Sequence, residues 1–160
     1  MIILGIDPGY ERLGIAVLEK NKEDKKERVL YSECFKTSAK LDFSERLLLI
    51  GKKVKEITKE YGPEILSIET LFLTTNQKTV MKVAEARGVI IYEAISAGLK
   101  VFEASPPQIK MATTGYGAAS KEQIIKMVHM LVDMDKNKKS DDELDAVAIA
   151  LTAFAHIRAK

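Results

Sequence analysis

The segment MIILGIDPGYERLGIAVL (residues 1–18) holds two short apolar runs around a glycine-containing turn, with an aspartate where the first run stops. Residues 2–7 and 13–18 are short, apolar and rich in isoleucine, so they read as strands rather than helices. Pro8, Gly9 and Gly14 supply the permissive backbone of a tight turn between them. Asp7 therefore closes a strand, at a sheet edge that solvent and ligands reach. Two readings of it stand side by side: an Asx-turn that starts the bend, or a carboxylate presented for chemistry.

Outward from this hairpin, VLYSECFK (29–36) reads as a third strand. The mixed-charge EKNKEDKKER (19–28) before it reads as a solvated hairpin loop. The period then changes. Phe43, Leu47, Ile50, Val54, Ile57 and Tyr61 recur at spacings of four and three, which predicts an amphipathic helix over 42–61, ended by Gly62 and Pro63. EILSIE (64–69) returns to strand, residues 77–97 to a helix stopped by Gly98, and KVFEA (100–104) forms a fifth strand. A brief helix opens with prolines at 106–113, and TTGYGAA (113–119) is a loop. Ser120 with Gln123 forms a capping box for a helix through about Val132, and Ser140 with Glu143 caps a last helix that continues to Lys160. The order predicts an α/β fold. Its five-stranded mixed sheet has the first three strands antiparallel and helices on both faces. Residues 1–160 form one domain, with no repeat or interdomain linker.

Bulk properties narrow the class. At 160 residues one core can bury about two thirds of the unfolded surface. A single cysteine, Cys34, excludes an intrachain disulfide framework and a cysteine-rich metal site, and its place in a strand reads as structural. No basic segment precedes a long apolar core, and no apolar run approaches the ~20 residues that span a bilayer, so a soluble cytoplasmic protein without membrane contact is expected. A net charge of +2 argues only weakly for nucleic acid, but bound divalent cations would make the protein a better partner for phosphate.

Three further carboxylates stand where the fold can bring them to Asp7. Glu69 closes the strand EILSIE, next to ETLFLTTNQ (69–77), while Asp142 and Asp145 open DELDAVAIALTAFAH (142–156). Acids in a helix's first turn also suit the macrodipole, so capping competes with ligation for Asp141, Asp142 and Glu143. Asp145 begins the face carrying Ala148, Ile149 and Thr152, small enough there to approach a sheet closely. Spacing does not choose between Asp141 and Asp142, since both share a face with Asp145. Four converging carboxylates repel one another unless cations fill the space, and hard oxygens favour magnesium or manganese. Two-metal phosphodiester hydrolysis needs such a set.

Taken in order, GIDPG, IE before a hydrophobic loop with Phe72, EARG, GYG–AAS–K and D-x-x-DAVAIA resemble the bacterial RuvC family. These are Holliday-junction resolvases of the ribonuclease H-like superfamily. The resemblance runs from Met1 to about His156, and departs in AEARG where the family usually has GQARG and in the extra Asp141. It implies a ribonuclease H-like fold with Asp7, Glu69, Asp142 and Asp145 as metal-binding catalytic acids; the motif register selects Asp142 over Asp141. It implies two Mg2+ per active site, with Mn2+ able to substitute. Lys110 and Lys121 match lysines near the scissile phosphate, where a cation would neutralise transition-state charge. Phe72, otherwise readable as a core aromatic, and Tyr116 of the GYG loop are implied DNA contacts alongside the two lysines. The implied function is metal-dependent, symmetric nicking of four-way DNA junctions in recombination and repair, leaving 5′-phosphate and 3′-hydroxyl ends. The implied partners are a second copy of the chain, with the 77–97 helix as the dimer element, and the RuvA–RuvB complex.

Two alternatives remain at this stage. One is a RuvC-like nuclease that processes ribosomal RNA precursor. The other is an ATP-binding domain of the actin and sugar-kinase type using the GIDPG turn for phosphate, although such proteins need two domains around a cleft.

Overall fold

The computed structural model describes residues 1–71, 77–135 and 139–158. The first hairpin forms as expected, β1 (Ile2–Asp7) against β2 (Arg12–Glu19), and β3 (Glu27–Lys36) extends it antiparallel. Helix α1 (Phe43–Tyr61) starts at a capping box in which the Asp42 backbone N–H donates to the Glu45 carboxylate at 3.0 Å. It stops at Gly62, whose φ of +57° lies in the left-handed region that glycine tolerates. β4 (Ile65–Glu69), α2 (Gln77–Ser96), β5 (Lys100–Ala104) and α3 (Pro106–Thr114) follow. α4 (Lys121–Leu131), β6 (Val132–Asp133) and α5 (Asp141–Arg158) complete the described chain.

The strands form one sheet in the order β5-β4-β1-β2-β3-β6, with β4 parallel to β1 and to β5. The sheet thus has six strands, not the expected five. Val132, expected to finish a helix, instead pairs in parallel with Glu27, and Asp133 with Arg28. Two residues are too few to show a period in sequence, so this strand exists only through its tertiary partner.

Alternation along the strands sorts two cores. Leu4, Ile6, Leu13, Ile15, Val17, Leu66 and Ile68 face α1 and α2, meeting Ile50, Val54, Ile57, Ala86 and Ile90. Ile3, Ala16 and Leu18 face the other way, onto Ala146, Val147, Ala150, Ala153 and Phe154 of α5 and onto Ile124 and Val128 of α4. Helices therefore cover both faces. No helix among the described residues is long and apolar enough to cross a membrane.

Candidate active site

Register brings the first two acids together. Ile6 of β1 lies beside Ile68 of β4, so the next residues, Asp7 and Glu69, emerge side by side at the carboxyl ends of adjacent parallel strands. Across the other edge of β1, Asp7 pairs with Gly14, and Gly14 in turn with Cys34. Glu69, Asp7, Gly14 and Cys34 thus form one row over four strands. Alternation turns the row toward α5, the side on which Ile3 packs.

Helix α5 reaches this row because small residues line both surfaces. A Cβ on Gly5 would lie 2.3 Å from the Ala146 carbonyl oxygen, and one on Gly14 would lie 2.2 Å from that of Asp142. Alanines 146, 148, 150 and 153 are buried in the same contact. The buried Ser67 hydroxyl donates to the Ile149 carbonyl at 2.6 Å, fixing the helix to β4. The helix opens with the expected box: the Ser140 N–H donates to Glu143 Oε2 at 2.9 Å and the Glu143 N–H to Ser140 Oγ at 3.3 Å. Its first turn therefore stands over the ends of β1 and β2, carrying Asp145 to Asp7 and Glu69 and setting Asp142 over Gly14.

The charges register that proximity. Burial, then the carboxylates of Asp145, Glu69 and Asp142, push Asp7 up to about 7, with Lys121 offsetting part of the rise. Glu69 is raised by burial and by Asp145. Burial raises Asp145 too, despite the opposing hydrogen bond and charge of Lys121. Asp7, Glu69 and Asp145 share a cleft of about 240 Å³ with Lys110 and Lys121, backed by Pro106, Ile109 and Ile124. Lys121 Nζ donates to Asp145 Oδ2 at 3.0 Å and lies 3.3 Å from Asp141 Oδ2.

Asp142 sits differently. It does not line the cleft; its Oδ2 accepts Arg12 Nε at 3.0 Å, a second bond from Arg12 Nη2, and Cys34 Sγ at 3.3 Å. Burial would raise its carboxyl, but these bonds prevail and hold it below the usual carboxylate range.

Other expected residues separate. Tyr116 is exposed and lines a neighbouring depression with Thr114, Gln123, Lys126 and Met130, outside the acidic cleft. Phe72 lies outside the described residues. Arg12 carried no sequence signal beyond its place in a turn, and Cys34, expected to be merely structural, touches Asp142. Pairing of β2 with β3 would have found the cysteine, because it is the cross-strand partner of Gly14. Arg87 of the EARG segment also reaches the site, donating to the Glu69 carbonyl at 3.1 Å and bridging to Glu103.

Among the described residues, no three His, Cys, Asp or Glu side chains are grouped so as to hold a metal ion as they stand. Two of the four acids are instead turned toward protein cations, Asp142 to Arg12 and Asp145 to Lys121. The donor set nevertheless fits a hard divalent cation. It is all carboxylate oxygen, and Asp7, raised first by burial and then by three neighbouring carboxylates, carries a cost of ionisation that such a cation relieves.

The family model for crossover junction endodeoxyribonuclease RuvC matches residues 3–153. A crossover junction endodeoxyribonuclease RuvC from Caldanaerobacter subterraneus subsp. tengcongensis is 42% identical over 151 residues, covering 94% of this chain and 90% of that protein. The structure of Thermus thermophilus RuvC superposes with a TM-score of 0.91 at 32% identity, covering 99% of this chain and 96% of that one. T. thermophilus RuvC in complex with Holliday junction substrate superposes at 0.92 and 33%, with the same coverage.

Proposed function

The chain belongs to the RuvC family of crossover junction endodeoxyribonucleases, and we propose that its acidic cleft hydrolyses phosphodiesters of four-way DNA junctions with the help of divalent metal. The observation that carries this reading is the meeting of Asp7, Glu69 and Asp145 with Lys110 and Lys121 in one cleft. It lies in a chain whose relative of the same fold is seen with a Holliday junction. Asp7, Glu69, Asp142 and Asp145 are the ligands this reading assigns, with Mg2+ the expected ion, two per site, and Mn2+ able to replace it.

Bound divalent cations would supply the hydroxide nucleophile and neutralise the departing 3′-oxygen. The rest falls to the chain itself. Asp7 and Glu69, fixed to adjacent strand ends, and Asp145, fixed to a helix packed on those strands, hold their carboxylates with little freedom. Such rigidity is what positional catalysis requires. Lys121, already beside Asp145, and Lys110, which lines the same cleft, bring positive charge to the scissile phosphate, stabilising the charge that grows on its oxygens. Hydrolysis leaves 5′-phosphate and 3′-hydroxyl ends. Phe72 is assigned to stacking on bases at the opened junction and Tyr116 to DNA beyond the cleft.

A two-fold dimer matches paired cuts to the two-fold symmetry of a junction. Helix α2 supports it. The helix buries Ala86, Ile90 and Ala94, while Met81, Ala84, Gly88, Tyr92 and Ile95 line the outward face at spacings of three and four. A Cβ on Gly88 would meet nothing within 4 Å, so the middle of this stripe is open to close approach by a second helix. We assign the whole chain, 1–160, to one nuclease domain acting in the cytoplasm on junctions delivered by RuvA and RuvB. The test is cleavage of a four-way junction, the matching duplex and a ribosomal RNA precursor with Mg2+. Paired, symmetric nicks in the junction are expected, and preferential cutting of the RNA would overturn the reading.

A further inference from the structure

Glu69 is the last residue of β4, and the peptide that follows it is held from both ends. The Thr70 N–H donates to the Ala104 carbonyl of β5 at 3.0 Å, and Arg87 Nε of α2 donates to the Glu69 carbonyl at 3.1 Å. The ladder between β1 and β4 stops at the pair Ile6–Ile68, and Pro8, two residues further along β1, has no N–H with which to prolong it. A side chain from a helix therefore serves the carbonyl at the strand end.

Arg87 reaches it from a fixed base. Its neighbours Ala86 and Ile90 belong to the core between α2 and the sheet, and its own side chain is only 16% exposed. Its Nη2 donates at the same time to Glu103 Oε2, and Glu103 stands beside Ile68 in the register of β4 with β5. One guanidinium thus bonds the end of β4 and the neighbouring strand together. Two nitrogens of a planar fork do this, and a single ammonium cannot reproduce the geometry. Arg87 does not line the acidic cleft, whereas Glu69 does.

Resting on the nuclease reading above, we infer that Arg87 is a positioning residue for cleavage, fixing the backbone of Glu69 so that its carboxylate enters the cleft in one place. With the peptide after Glu69 held at both ends, rotation about the Glu69 Cα–C bond is stopped and the Cα–Cβ bond keeps one direction. A residue at the end of a strand has no further ladder to impose this. Glu103 is the second anchor, keeping the fork in the plane that meets the Glu69 carbonyl.

The experiment compares wild type with Arg87→Met, Arg87→Lys, Glu103→Ala and Glu103→Gln. Each is measured for single-turnover cleavage of a four-way junction with Mg2+, for junction affinity by gel shift without divalent cation, and for Tm. In Arg87→Met the cleavage rate is expected to fall by about 10²-fold, the loss that a misplacement of about 1 Å produces, while junction affinity holds. Arg87→Lys keeps the charge without the fork and should be nearly as slow. Glu103→Gln, which keeps an acceptor for Nη2, should retain more of the rate than Glu103→Ala. In a Glu69→Asp background, where the carboxylate is already withdrawn, Arg87→Met should cost far less than in wild type, because two changes acting on one group are not additive. A wild-type rate in Arg87→Met, or the same proportional loss in both backgrounds, would overturn the inference alone. So would a loss of binding that matches the loss of rate. Should Arg87→Met fail to fold, Glu103→Ala, at a position 52% exposed, carries the same comparison. Failure of wild type to cut the junction would instead overturn the nuclease reading beneath it.

Discussion

Gly14 and Asp142 touch backbone to backbone across the sheet–helix contact, so closely that a Cβ on Gly14 would lie 2.2 Å from the Asp142 carbonyl oxygen and 3.1 Å from Asp7 Cβ. The obstacle is backbone, which cannot swing aside as a long side chain can. Gly14→Ala must therefore lift the first turn of α5 off β2, moving both Asp142 and Asp145. Overpacking of this kind costs about 1–3 kcal/mol. The expected outcome is a fall in Tm of several degrees by calorimetry, together with loss of most junction cleavage. A variant with wild-type Tm and turnover would show that the contact does not set the site.

The titration of Asp7 gives a prediction with a definite sign. Its carboxyl is raised from 3.8 to about 7 in the folded, metal-free protein, mainly by burial and then by Asp145, Glu69 and Asp142. A raised acid favours the protonated fold, so its ionisation costs no stability below pH 4, a growing amount between 4 and 7, and the full amount above 7. Asp7→Asn removes that cost. The variant should melt several degrees above metal-free wild type at pH 8, on the order of a few kcal/mol, and near wild type at pH 4. Added Mg2+ should raise the Tm of wild type and do little for the variant. Cleavage should be lost while junction binding in a gel-shift assay survives.

Much of this site was legible before the fold was known, and the reason is periodicity. Asp7 and Glu69 end apolar runs whose alternation is plain, so their place at strand ends followed from the sequence. Asp145 begins a small-residue helix face, and the capping pairs Ser120–Gln123 and Ser140–Glu143 marked their helix starts to within a residue. What stayed hidden depends on register between distant segments. Arg12 and Cys34 acquire meaning only once β2 is aligned with β3 and α5 is laid over Gly14. The sixth strand was invisible for the same reason, because Val132 and Asp133 are strand only by virtue of Glu27 and Arg28 beside them.

Lys121 joins the cleft to the outer acids, donating to Asp145 at 3.0 Å and lying 3.3 Å from Asp141. Replacing it with glutamine removes a cation that lowers both Asp145 and Asp7, so both carboxyls should titrate higher in the metal-free variant, a change that NMR of the side-chain carboxyls would follow. Metal binding should tighten, since a competing positive charge has gone. Cleavage should nevertheless fall by about 10²–10³, the usual loss when one preorganised transition-state stabiliser is removed. Tighter metal with unimpaired cleavage would assign Lys121 to charge balance alone.

The outward face of α2 should decide whether cuts come in pairs. Tyr92 is 69% exposed and Ile95 59%, so Tyr92→Glu disturbs no core contact within one copy and should leave the monomer's fold intact. In a dimer built on this face the same change buries two carboxylates near the two-fold axis, where they repel each other and lose hydration. Sedimentation velocity should then show the variant as a monomer at concentrations where wild type is expected to sediment as a dimer. Mg2+ should still raise its Tm, because Asp7, Glu69 and Asp145 all come from strand ends and α5 rather than from α2. On a four-way junction the variant should give unpaired nicks at a reduced rate. A Tyr92→Glu protein that remains dimeric and nicks both strands together would place the dimer contact elsewhere.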